Sequence, residues 1–321
     1  MQKVLIAGGL GYIGSHTITQ LPSNYEPIII DNLSNSSITT LTNLEKITHT
    51  KLSLYVLNMC DITAFEKIFQ THKIDVVIHF AAYKSVSDSM INPLLYYKNN
   101  LESTINLLML MKKYDVKKLI FSSSCSVYGN TSGVVTEETP FGKAQSPYAN
   151  TKQICEQIII NSDIETIILR YFNPVGVHQS LLLGEDKMSI SLVPALVRGS
   201  LKVFGHDYDT KDGTPLRDYV HVMDIADAHV CALQRFEKVH KRIEIYNLGS
   251  GNGSTVLEVI KSFEKVSKTK CDYQIVERRP GDVDKIYADT TLANILLKWK
   301  PKYSLDEMIL SYWKYHIHNP F

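Results

Sequence analysis

Residues 3–16 read KVLIAGGLGYIGSH, a short apolar run that breaks into a glycine-rich turn and then into a helical pattern. Gly8, Gly11 and Gly14 fall three apart, directly after the first expected strand and at the opening of the first expected helix. Glycines at such a junction allow a tight turn and let helix-terminal N–H groups approach a pyrophosphate, whose charge the helix dipole favours. Glycines there also serve close helix-to-strand packing. Placement after the first strand favours a dinucleotide cofactor, with Tyr12 and Ile13 in the same turn.

Working outward, apolar runs alternate with helical segments: EPIIID, KLSLYVL, IDVVIHF, KKLIFSS and IETIILRYF follow the first strand. Continuous apolar runs suit strands covered on both faces, and β/α alternation predicts an α/β, doubly wound parallel sheet of Rossmann type. The alternation weakens after about residue 172. Residues 1–172 are expected to form the cofactor-binding domain, with a returning strand and helix near 217–250. Residues 173–321 are expected to form mainly a smaller C-terminal substrate-binding lobe.

Strand two ends in Asp31, where a carboxylate can accept the ribose hydroxyls of an adenosine. Capping the following segment is the alternative use of such an Asp. The next residues, NLSN, bring no Arg or Lys for a 2′-phosphate, which favours NAD over NADP. Asp61 follows strand three and Lys84 follows strand four, the edge where ligands of such sheets lie; each could also be a solvated loop charge.

Strand five brings Ser122, Ser123 and Ser124 to the same edge, and SPYANTK (146–152) opens the next helix with Pro147 suited to its first position. Tyr148 and Lys152 are therefore one helical turn apart. Lowering a tyrosine from about 10 to about 7 takes about 4 kcal/mol, which a cation at about 4 Å supplies at an effective dielectric near 20. Lys152 and a positive nicotinamide ring are the expected perturbers, and Ser124 can pass a substrate proton to or from Tyr148. The other Tyr/Lys pair at this spacing, Tyr114 and Lys118, lacks any such setting.

The bulk numbers narrow the partners. With 321 residues, 44% apolar content and a formal charge of +1, the chain has a core-forming composition and no basic footprint for nucleic acid or a membrane surface. No apolar run reaches membrane-spanning length and the N-terminus does not resemble a signal peptide, so the cytoplasm is expected. The five cysteines are scattered and lack C-x-x-C spacing, so reduced thiols and no metal site are expected.

Ordered motifs along nearly the whole chain, GGLGYIGSHT, DNLSNS, VIHFAAYKSV, FSSSCSVYG, SPYANTK, LRYFNPVG, GHDYDTKDGTPLRDYVHVMDIADAHV and IYNLGSG, resemble the extended short-chain dehydrogenase/reductase proteins that act on nucleotide sugars, in their 4-epimerase branch. The resemblance implies a tightly held NAD, a UDP-sugar substrate and interconversion of UDP-glucose and UDP-galactose at C4 through a 4-keto sugar. It assigns adenosine contacts to Asp31, Asn32, Asp61 and Ile62. Nicotinamide-side contacts fall on Phe80, Ala81, Lys84, Asn99, Ser122, Tyr148, Lys152 and Tyr171, and catalysis on Ser124, Tyr148 and Lys152. UDP-sugar contacts include Lys84, Ser124, Tyr148, Asn173, Ser191, Arg217, Arg279 and Asp282; each Arg could otherwise be a surface ion pair. LESTINLLMLMKKY matches one of the family's dimer-forming helices, so a homodimer is implied.

Relatives that eliminate water or decarboxylate usually carry Asp or Glu just before VYG, where this chain has Ser124, Cys125 and Ser126. Related alternatives remain a 4-reductase, a 4,6-dehydratase or a non-catalytic NAD-binding protein. The chain departs from the epimerase pattern at Ala149 and Asn150, at Ile190 and Ser191, and in the Leu181–Leu183 run. An ungapped reading puts Ile286 where a large Tyr restricts some members to unacetylated sugars; a shift of one residue would put Tyr287 there. With Ile286 in place, UDP-GlcNAc and UDP-GalNAc are expected substrates.

Overall fold

The computed structural model describes every residue except 187, 188, 200, 239, 240, 280, 320 and 321. The chain begins β1 (Gln2–Ala7), α1 (Tyr12–Gln20), β2 (Tyr25–Asp31), α2 (Ile38–Thr48), β3 (Ser53–Val56), α3 (Ile62–Thr71), β4 (Val76–His79), α4 (Val86–Ile91), α5 (Pro93–Lys113) and β5 (Lys118–Ser124). After a 3-10 turn at Cys125–Tyr128 come β6 (Gly133–Val135), α6 (Pro147–Ile160), β7 (Glu165–Tyr171), β8 (Asn173–Val175), α7 (Leu192–Val197), β9 (Leu201–Phe204), β10 (Leu216–His221) and α8 (Val222–Arg235). The rest is β11 (Ile243–Leu248), β12 (Gly253–Thr255), α9 (Val256–Ser267), β13 (Tyr273–Val276), β14 (Lys285–Ala288) and α10 (Leu305–His318).

Two compact units divide the chain: Met1–Gly129, Pro140–Arg170 and Ala226–Tyr246 form the first, and Asn130–Thr139, Tyr171–Ile225 and Asn247–Phe321 the second. The main sheet runs in the order β11-β7-β5-β4-β1-β2-β3. Its β1–β2, β1–β4, β2–β3 and β4–β5 pairs are all parallel. The order reverses at β1, which opens a crevice beyond the carboxyl ends of β1 and β4, where this architecture binds ligands. The interiors of β1 and β2 are continuously apolar because helices cover both faces; Leu5, Ile28, Ile30, Phe65, Leu107, Phe121, Ile159 and Ile168 meet in one core.

Helix starts follow local chemistry. Asp61 caps α3 by accepting from Ala64 N–H (3.0 Å), and Ser146 caps α6 by accepting from Ala149 N–H (3.1 Å), with Pro147 in the first turn. In the second unit β10 pairs with β12, β14 and β8, and β14 pairs with β6. A parallel β9–β13 pair stands apart. Val193, Leu196, Val259, Phe263, Met308 and Tyr312 supply this unit's own core. Among the described residues no helix is long and apolar enough to cross a membrane, and no group of three or more His, Cys, Asp or Glu is placed to hold a metal.

Candidate active site

The glycine turn is built by close approach. Gly8 has φ +75°, and a Cβ there would lie 2.7 Å from the Ala81 nitrogen; one on Gly14 would lie 2.5 Å from the Gly8 carbonyl oxygen. Side chains at either position would push β4 and α1 off the turn. Gly11 is the N-cap of α1 and offers no side-chain cap, and the N–H groups at the start of a helix have no carbonyl partner within it. This cradle of backbone donors fits a pyrophosphate.

Asp31 sits at the end of β2 and is buried. Its Oδ2 accepts from Leu10 N–H in the glycine turn (3.0 Å), and its Oδ1 from Leu33 N–H (2.9 Å) and Ser36 Oγ (2.7 Å). A carboxylate has about four acceptor sites, so one is left for a ribose hydroxyl. Leu33 is held at φ 59°, a strained setting for leucine that this turn imposes. Asn32 is exposed and accepts from Ser34 N–H (3.0 Å). Asp61 is engaged as the α3 cap described above, and Ile62, the first residue of α3, packs on the core.

Phe80 and Ala81 leave β4 with both N–H groups donating to Ala7 O (2.8 and 3.0 Å). Lys84 places its ammonium 5.7 Å from the centre of the Tyr12 ring, joining the fourth strand's loop to the first helix. Asn99, on α5, donates to Asn100 Oδ1 (3.1 Å). Asn100 is a residue the sequence reasoning passed over: buried, it accepts from Tyr83 N–H (2.9 Å) and donates to Tyr83 O (3.1 Å) and Thr151 Oγ1 (3.0 Å). It thereby ties the Lys84 loop to α5 and α6. No local signal set Asn100 apart, since its neighbours Lys98, Asn99, Glu102, Ser103 and Thr104 are polar too.

Tyr148 stands in the first turn of α6, and Ser124 stands at the end of β5, where its hydroxyl accepts from Ser126 N–H (3.2 Å). Burial pushes Tyr148 up to about 12, and the nearby Ser124 side chain opposes that rise. Lys152 is not among the main causes of the Tyr148 shift. The Lys152 ammonium instead donates to the carbonyl of Ser122 (2.7 Å) and lies 4.9 Å from the centre of the Phe121 ring. The reason is burial: an ammonium inside the protein needs an acceptor, and the β5 carbonyl is the one at hand. Burial lowers Lys152 to about 8, opposed by Cys155 and Glu156.

Within the second unit, Arg217 on β10 donates to Leu216 O (2.9 Å) and Val283 O (2.8 Å) and pairs with Asp282 (3.3 Å). Arg279 approaches the other oxygen of Asp282 (3.9 Å) and lies over the Phe204 ring at 4.4 Å. Two guanidinium groups are thus gathered on one carboxylate, with Arg279 more than half exposed. Asn173 donates to Asp218 O (2.8 Å), and Tyr171 is buried at the end of β7. The Ser191 hydroxyl donates to Glu185 (2.9 Å), and Leu183 of the leucine run is buried nearby in sequence. Ile286 is buried in β14 opposite Gly133 and Arg217; Tyr287, next along the strand, points to the other face. Asp218, also passed over, accepts from Ser250 N–H (2.6 Å), Ser250 Oγ (2.6 Å), Gly251 N–H (3.1 Å) and Ala288 N–H (3.0 Å), locking β14 beside Arg217.

Residues 5–311 match the family model described as GDP-mannose 4,6 dehydratase. UDP-glucose 4-epimerase 2 of Arabidopsis thaliana is 44% identical over 338 residues, covering 100% of this chain and 96% of that protein. The crystal structure of UDP-glucose 4-epimerase from Bifidobacterium longum in complex with NAD+ and UDP matches with a TM-score of 0.92 and 42% identity, covering 99% of each chain. The UDP-Glc/GlcNAc 4-epimerase of Campylobacter jejuni matches with a TM-score of 0.85 and 34% identity, covering 99% of this chain and 100% of that one. With identity of this order running from one end to the other on a matching fold, the chain belongs to the UDP-glucose 4-epimerases of the extended short-chain dehydrogenase/reductase family.

Proposed function

We propose that the protein interconverts UDP-glucose and UDP-galactose by inverting C4 through a 4-keto sugar, using NAD that is regenerated in each turnover. The observation that carries this reading is the placing of Tyr148, in the first turn of α6, with Ser124, at the end of β5, on the sheet edge that also bears the glycine turn. Gly8, Gly11, Gly14, Asp31, Phe80, Ala81, Lys84, Asn99 and Lys152 would hold the dinucleotide. When bound, NAD supplies a hydride acceptor for C4 and a positive charge that favours the tyrosinate.

Tyr148, as tyrosinate, takes the O4 proton as the carbonyl forms and returns it when the sugar is reduced on its other face. Ser124, at the end of β5, is suited to bridge O4 and the phenol and so relay the proton. Lys152, charged and anchored on Ser122 O, keeps α6 in register with β5. Arg217 and Arg279 are suited to the two phosphates, because guanidinium meets phosphate oxygens as a fork. No carboxylate stands in the Ser124–Cys125–Ser126 run, which disfavours elimination across C5 and C6.

We extend the substrate range to UDP-GlcNAc and UDP-GalNAc, on the smaller volume of Ile286 compared with Tyr and on the similarity to the Campylobacter jejuni enzyme. We also assign the chain a homodimeric state, supported by the apolar outer stripe of α5, and a cytoplasmic location, supported by its free cysteines. The test is to incubate purified protein with UDP-galactose, without added cofactor, and follow UDP-glucose by chromatography. Conversion without NADH release or loss of water is expected, and Tyr148→Phe should abolish it. Lasting reduction of the bound NAD without UDP-glucose formation would indicate a 4-reductase working in its oxidative direction, loss of water a dehydratase, and no reaction by NAD-loaded protein a binding role only.

A further inference from the structure

Two turns beyond Tyr148, α6 carries Glu156, which is fully buried. Its carboxylate is held from two strands. Arg170 on β7 donates through Nε (3.0 Å) and an outer nitrogen (2.7 Å) in a bidentate fork, and Ser123 on β5 donates to Oε1 in a short hydrogen bond. Arg170 is itself buried; its other outer nitrogen donates to the Tyr128 hydroxyl (3.0 Å), and its guanidinium faces the rings of Tyr128 and Phe141 at 5.0 and 5.4 Å. Beside it, Gln153 donates to Val127 O and Gly142 O, both at 2.8 Å. Tyr148, Lys152 and Glu156 are spaced i, i+4 and i+8 on one helix, while Ser122, Ser123 and Ser124 are consecutive on β5. The cluster therefore pins the helix of Tyr148 to the strand of Ser124 one residue away from the reacting hydroxyl.

A buried ion pair is a costly way to glue a helix to a sheet, since apolar residues of similar volume often do it as well. Its retention here asks what the charge does. The groups facing the Lys152 ammonium are His79 from β4, Cys155 and Glu156 from its own helix, and the Ser122 carbonyl and Phe121 ring from β5. His79 is buried and pushed down to about 3, with Lys152 contributing to that fall, so it stays neutral. Cys155 is held up by burial. Glu156 is thus the carboxylate that faces Lys152.

We propose that Glu156 and Arg170 are positioning residues for the reaction centre: Arg170 and Ser123 fix the Glu156 carboxylate, which faces the Lys152 ammonium and holds it charged on the Ser122 carbonyl. The pair acts on Tyr148 only through Lys152 and through the register of α6. This inference rests on the epimerase reading for its kinetic consequences, but its direct readout does not.

The experiment follows Lys152 itself. Protein labelled with ¹³C at the lysine side chains is titrated by NMR, with the Lys152 Cε resonance identified by its loss in Lys152→Met. Glu156→Gln keeps the shape and leaves Arg170⁺ unbalanced, so the Lys152 midpoint should fall by about one pH unit or more. Glu156→Gln with Arg170→Met removes both charges, and its midpoint should lie between the wild type and the single variant. The alkaline limb of kcat should move with the midpoint, and kcat at neutral pH should fall about tenfold or more while KM for UDP-galactose stays within about twofold.

A purely structural role would lower melting temperature and leave the midpoint in place. Folded variants with the wild-type Lys152 midpoint and pH profile would therefore overturn the proposal. If Glu156→Gln does not fold, the neutral double variant decides alone: a lowered midpoint supports it and an unchanged one overturns it. A wild-type protein that never turns over UDP-galactose would sink the functional reading and leave the NMR outcome standing.

Discussion

Lys152 keeps a charged group inside the protein with one carbonyl as its hydrogen-bond acceptor. Burial lowers it from 10.5 to about 8. The folded form therefore binds this proton less readily than the unfolded chain, and the energetic cost is complete below about pH 8 and fades as pH rises towards 10.5. The gross cost is on the order of 3 kcal/mol. After loss of the Ser122 hydrogen bond, Lys152→Met should stabilise the inactive protein at pH 7 by about 1–2 kcal/mol. Urea unfolding at pH 7 and pH 10 checks this, with the gain shrinking at the higher pH. Ile286 is buried opposite Gly133, and a phenol in its place would fill the space assigned to an acetamido group. Ile286→Tyr should cut turnover of UDP-GalNAc about a hundredfold or more while UDP-galactose turnover stays within about threefold, measured as kcat/KM for each sugar.

The helix α5 is largely buried on its inner side, yet it leaves Leu94 81% exposed, Ile105 41% and Met109 56% along one stripe. On α6, which packs beside it, Ile154 and Ile158 are only half-buried. Apolar side chains at such spacing on two neighbouring helices suit a second copy of the same pair. Ile105→Glu combined with Met109→Glu should give a protein with the mass of one chain in sedimentation at micromolar concentration, where the wild type should show two. A wild type that sediments as one chain would refute the dimer. The apolar runs of β1, β2, β4, β5 and β7 were legible because strands buried on both faces are mostly apolar, with polar residues such as Ser123 and Arg170 kept where they find partners. Gly8 and Gly14 were legible because nothing larger fits. What was not legible was direction: the sequence placed Lys152 one turn from Tyr148, but its ammonium follows the nearest buried acceptor, which only the packed β5 strand defines. The cap role of Asp61 was equally hidden, since a ribose contact and a helix cap ask for the same residue type. Strands of three residues, such as β6 and β12, are too short to show a period at all.

The first unit is not complete at residue 172. Its sheet needs β11 beside β7, and Ile243 and Ile245 pack against the core that β1, β4 and β5 share. A fragment of residues 1–172 would expose β7 as a raw edge and lack α8, most of which belongs to the first unit. It should be insoluble or lack near-ultraviolet circular dichroism, whereas the intact chain should melt cooperatively; a soluble, cooperatively folding fragment would contradict this. The chain passes between its two units after residues 129, 139, 170, 225 and 246, five times in all. One consequence concerns inheritance. A single genetic crossover between this chain and a relative cannot exchange one unit for another, because no single break leaves a whole unit alone on either side. New sugar preferences in such a lineage must then arise by substitution in place, at positions like Ile286 and Ser191, rather than by the shuffling of ready-made modules.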